Sequence, residues 1–144
     1  MQKNKKDYFN YSLSELIDMM TNLQIKETKI KKNTYTNEIN LISRDIDLIL
    51  KKTKKKINAK IIRKIIFLSI SNLIVWEYKD AMLKKRKKYY SILRDAMYIN
   101  SIRNSVTNSM MIDFKEDELA KNKITKFTKK DPIWVKYLKK KLNA

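Results

Sequence analysis

The chain holds no glycine and a single proline, Pro132, in 144 residues. Two-residue β-hairpin turns need positive φ, which glycine adopts without steric cost. Phosphate loops of the glycine-rich kind cannot be built from this composition. An all-β or dinucleotide-binding α/β fold is therefore disfavoured. The reading that remains is an all-α chain, one domain with one core, its helices joined by polar connections.

Apolar spacing divides the chain into helices. Ser12-Leu13-Ser14-Glu15 has the form of a capping box, in which the serine hydroxyl caps the third helical N–H and the glutamate reaches back. A first helix is expected from about Leu13 to Ile30, with Leu13, Leu16, Met20, Leu23, Glu27 and Ile30 on one stripe. Residues 31–34 read as a turn. A second helix over about Tyr35–Lys52 turns Ile39, Ile42, Ile46 and Ile49 inward, with Arg44 bracketed by Leu41 and Leu48. The third, from near Ile57 or Ala59 to about Met82, is assigned the stripe Ile62, Ile66, Ile70, Leu73, Glu77 and is expected to be the most buried. The fourth, about Tyr89–Ile112, aligns Ile92, Ala96, Ile99, Arg103, Val106 and Met110.

This gives an antiparallel four-helix bundle over residues 1–112, made of hairpins 13–52 and 57–112. Residues 113–144 form a charged linker and a basic C-terminal arm. In that arm Asp131-Pro132 starts a short helix, with Asp as cap and Pro at the first position.

The two hairpins are related in sequence. Thr21-Asn22-Leu23…Glu27…Lys29 recurs fifty positions later as Ser71-Asn72-Leu73…Glu77…Lys79. Each hairpin also carries an arginine on its second helix, Arg44 and Arg103. A core carboxylate is costly unless paired, and the arginine fork supplies a bidentate partner. Two buried pairs are therefore expected, Glu27 with Arg44 and Glu77 with Arg103, supported by Asn22, Asn72, Asn100 and Asn104. Such pairs would set helix register; a polar pocket between the hairpins is the other reading.

Asn72…Trp76-Glu77…Asp80, a basic connection, then Ile99-Asn100…Arg103-Asn104 form a pattern. With the opening Ser14-Glu15-Leu16-Ile17-Asp18 and Asn22, Lys26 and Glu27, it resembles the bacterial helical family known as domain of unknown function 4254 and related short proteins. The resemblance spans about residues 12–112 through scattered positions. Tyr78 and Ser109-Met110-Met111 depart from it, standing where the family carries acidic residues. The family has no assigned biochemistry. Its members are often encoded beside cell-surface polysaccharide genes, so the resemblance implies an accessory role in that biosynthesis.

Cysteine and histidine are absent, which removes disulfides, zinc sites, thiol nucleophiles and imidazole bases. No cofactor, metal or catalytic residue is implied. The remaining enzymatic alternative is a magnesium-dependent helical nucleotide hydrolase using Glu15/Asp18 and Glu77/Asp80, whose i, i+3 spacing puts both carboxylates on one helix face. The longest apolar run, from Ile65 toward Trp76, is interrupted by Ser69, Ser71 and Asn72 and is too polar to span a bilayer. No secretory leader is seen at the N-terminus, so a cytoplasmic or organellar interior is expected.

Charge is the strongest functional signal. Lys+Arg number 34 against 15 Asp+Glu, a net +19. An excess of this size favours polyanions; an AT-rich genome, which enriches lysine, asparagine and isoleucine together, is the competing explanation. Three groups are candidate polyanion contacts: Lys51, Lys52, Lys54, Lys55 and Lys56; Lys84, Lys85, Arg86, Lys87 and Lys88; and Lys136, Lys139, Lys140 and Lys141. Tyr89, Tyr90 and Trp134 adjoin them, where rings could stack on bases. The expectation is a non-enzymatic binding or assembly protein that docks on nucleic acid, a ribonucleoprotein or a larger complex. Peripheral membrane contact through residues 132–142 is a further possibility.

Overall fold

The fold is a computed structural model that describes residues 11–30, 33–116 and 132–143. The expected turn at Lys31 and Lys32, the polar start at 1–10, and the linker at 117–131 with its Asp131 cap lie outside them. Every regular element among the described residues is helical: α1 (Leu13–Ile30), α2 (Asn33–Thr53), α3 (Ala59–Lys84), a 3-10 turn (Arg86–Lys88), α4 (Tyr89–Asp113) and α5 (Ile133–Asn143). α1 packs on α2, α3 and α4; α3 packs on α4; and α4 carries α5. The core is built from Leu13, Leu16, Ile17, Ile42, Leu68, Ile102, Val106 and Met110.

α1 starts where the capping box predicts. Glu15 N donates to Ser12 Oγ at 3.2 Å, and Ser12 N donates to Glu15 Oε2 at 2.9 Å. A second carboxylate reaches the same helix start from the far end of the chain. Glu116 Oε1 accepts from Leu13 N at 3.0 Å and Glu116 Oε2 from Ser14 Oγ at 3.2 Å. Free N–H groups and the positive end of the helix dipole favour an anion there.

Glu116 is aimed by the end of α4. Glu116 N donates to Met111 O and Lys115 N to Ile112 O, the bond pair of a Schellman motif, with Lys115 at φ 57. Glycine usually takes this left-handed position. In a chain without glycine lysine occupies it, and Lys54 (φ 56) does so after α2. Residues 113–116 are thus part of the helical body, not of a linker.

α3 is rotated relative to its expected stripe. Ile61, Lys64, Leu68, Ser71 and Asn72 are buried, whereas Ile62, Ile66 and Ile70 are about half exposed. Apolar residues occur all around this helix, so periodicity alone gives no unique phase. Polar bonds select it. Lys64, 3% exposed, donates from Nζ to Ser109 Oγ and Asp113 Oδ2, both at 2.5 Å. Asn72 donates to α1. Burying an ammonium without such partners would be prohibitive, so residues 64, 68 and 72 face inward.

α2 rests mainly on α1. An apolar groove of about 720 Å³ runs along this side, floored by Met20 and Ile25 of α1 and walled by Ile39 of α2 and Ile65 and Leu73 of α3. The C-terminal arm is docked: α5 packs against α4 with Val135 fully buried and Leu142 nearly so. Tyr98 and Trp134 meet edge to face at 6.4 Å. A lone eleven-residue helix would be marginal in water; its apolar stripe is held by α4.

Candidate functional site

The expected glutamate–arginine pairs do not form. Glu27 accepts from Gln24 Nε2 at 2.8 Å and from the Thr36 hydroxyl. Arg44 lies two residues beyond the buried Ile42, about 200° around the helix, and is exposed, bonding its neighbour Asp45 at 3.1 Å. Glu77 is exposed, with Lys29 at 4.0 Å. It follows Asn72 by five residues, so it points away from the face that Asn72 buries.

The supporting residues converge on a different carboxylate, Asp18 of α1. Arg103 of α4 places Nη2 at 2.8 Å from Asp18 Oδ2 and Nε at 3.4 Å from Oδ1. Asn72 of α3 and Asn22 of α1 donate to Oδ1 at 2.9 and 3.3 Å. Asn72 also reaches Thr21 Oγ1 at 2.7 Å, and Arg103 Nη1 donates to Asn100 Oδ1 at 2.9 Å. Asn104 is half-buried one position beyond Arg103. The two repeated asparagines therefore meet on one acid, and the repeat builds a single asymmetric centre.

These bonds define what the centre can do. Asp18 accepts four contacts, three on Oδ1 and one on Oδ2. It clamps α1, α3 and α4 together. The other carboxylates of the metal alternative are also engaged: Glu15 in the capping box, Glu77 with Lys29, and Asp80 with Lys84 at 2.7 Å. Among the described residues no group of three or more His, Cys, Asp or Glu is placed to hold a metal ion. Asp18 entered the sequence reading as a carboxylate paired with Glu15 in the magnesium alternative, and nothing local to residue 18 points to Arg103, 85 positions away.

Among the described residues the basic side chains divide into engaged and exposed groups. Lys55 is held by Glu116 at 3.3 Å, Lys84 by Asp80, and Lys139 donates to Ser101 Oγ at 2.7 Å. Lys141 stands over the Tyr137 ring at 5.7 Å. Lys51, Lys52, Lys54, Lys56, Lys136 and Lys140 are exposed. Lys85, Arg86, Lys87 and Lys88, also exposed, form no ion pair among the described residues.

The α3–α4 connection is consequently the densest cation site. α3 ends as Lys85 N bonds Ala81 O, and the 3-10 turn follows, its successive side chains about 120° apart. With Leu83, residues 84–88 line an open concavity of about 580 Å³. Tyr89 and Tyr90 follow, their rings edge to face at 5.6 Å. No helix among the described residues is long and apolar enough to cross a membrane. The chain matches no family model, no curated protein and no solved structure.

Proposed function

We propose that this chain is a non-enzymatic binding module, two related helical hairpins in an antiparallel four-helix arrangement, that docks on a phosphate polyanion such as nucleic acid or a ribonucleoprotein. The observation that carries this reading is the α3–α4 connection, with five consecutive cations of which only Lys84 has a carboxylate partner among the described residues. Cations left without internal partners keep their full charge for phosphates, and binding them releases counterions. The Asp18 centre serves this role indirectly by fixing α3 against α4, whose ends carry the connection. The exposed lysines at residues 51–56 lie at the other end of α3, about 39 Å away for 26 residues, so the two groups act as separate contacts.

Nucleic-acid affinity measured across a salt series tests the proposal. Affinity should fall steeply with salt, and replacing Lys85, Arg86, Lys87 and Lys88 together by alanine should reduce the slope of log K against log salt by about 3. Binding that ignores salt, or a four-alanine variant that binds like the wild type, would refute it.

A further inference from the structure

We infer that the α3–α4 connection takes single-stranded nucleic acid, its phosphates on Lys85–Lys88 and one base stacked on the ring of Tyr90. This deepens the proposed function and rests on it. Four aromatic residues adjoin the basic groups, and the structure separates them; the ring of Tyr137 is covered by Lys141 Nζ at 5.7 Å. Trp134 and Tyr89 are each more than half covered, at 46% and 42% exposure. Tyr90 is 84% exposed, and no hydrogen bond or cation contact among the described residues occupies its ring. Its ring contact with Tyr89 is edge to face.

A largely exposed aromatic ring next to four cations that form no ion pair among the described residues has the two components of a single-strand platform, a charged track for the backbone and a π-face for a base. A duplex could use the cations but keeps its bases stacked on each other, so it would gain nothing from Tyr90. A flat anionic bilayer fits less well. The cations lie between Leu83 and Tyr90 in sequence and line a concavity, which admits a flexible strand more readily than a planar surface. The contacts are to phosphate and a ring face, so binding should be tolerant of sequence.

The experiment compares a fluorescein-labelled twelve-nucleotide oligo-dT, a hairpin duplex of matching phosphate count, and vesicles containing phosphatidylserine. Each is titrated with the wild type, Tyr90→Ala, Tyr90→Phe and the four-alanine variant of residues 85–88. Tyr90 is exposed enough that its substitution leaves the helical circular dichroism unchanged. The expected result is that Tyr90→Ala weakens oligo-dT binding roughly five- to hundredfold, that Tyr90→Phe restores it, and that duplex binding stays the same. The four-alanine variant should weaken both nucleic acids. Equal losses on duplex and single strand, no effect of Tyr90→Ala on oligo-dT, or vesicle binding that depends on Tyr90 more than oligo-dT binding does would overturn the inference while leaving polyanion binding in place. Failure of the wild type to bind any of the three would overturn the proposed function as well.

Discussion

Arg103 shows how much one side chain decides in this protein. Its guanidinium spans Asp18 and Asn100, tying α4 to α1 while Asn72 brings in α3. Removing it would leave a largely buried carboxylate short of its strongest donor, so Arg103→Ala should cost about 2–3 kcal/mol in chemical denaturation. A double-mutant cycle with Asp18→Ala should show strong positive coupling, whereas the same cycle with Glu77→Ala should be additive. Lys115 makes a second case. At φ 57 a side chain with a Cβ is strained by about 1 kcal/mol, and Lys115→Gly should recover up to about that much. An unchanged denaturation midpoint would mean that the strain is relieved elsewhere in the turn.

At the scale of the element, α3 is the helix whose function depends on its rotation. Lys64 and Asn72 bring the line of residues 64, 68 and 72 onto α4 and α1, leaving Ile62, Ile66 and Ile70 at the surface. Leu68, fully buried, should lose about 2–5 kcal/mol on truncation to alanine. Ile66, 56% exposed, should lose about 1 kcal/mol or less. The ratio of the two, read from thermal or urea unfolding, tests the rotation directly. A larger loss at Ile66 would restore the stripe expected from periodicity.

For the whole molecule, a net charge of +19 acts on every helix at once. Self-repulsion of this size opposes compaction, and salt screens it over a Debye length of about 8–10 Å. The internal ion pairs Lys64–Asp113 and Arg103–Asp18 are largely sheltered from solvent, so salt weakens them little. Raising NaCl from low to physiological concentration should therefore raise the melting temperature by a few degrees, corresponding to about 1–2 kcal/mol for a chain of this size. A falling melting temperature would show that exposed ion pairs outweigh the repulsion. The same screening weakens polyanion binding, so stability and affinity should move in opposite directions with salt.

Composition and local pattern determined the helical class, the approximate bounds of α1 to α4, the capping box, the inward stripes of α2 and α4, and that of α1 as far as Leu23, beyond which Ile30 is exposed. Each rests on interactions within a few residues of chain, which are written contiguously. The same holds for the basic connection, since a run of charge needs no fold to be seen. Arg103 and the asparagines around it were recognisable as core polar groups, but their acid was not. Glu27 and Glu77 satisfied the repeat and Asp18 did not, yet the chain folds to bring Asp18 within 2.8 Å of Arg103. The phase of α3, the Glu116 cap on α1 and the docking of α5 on α4 likewise join residues far apart in sequence. Only tertiary packing decided these: an apolar helix with no polar side has no preferred rotation until a buried charge must find its partner.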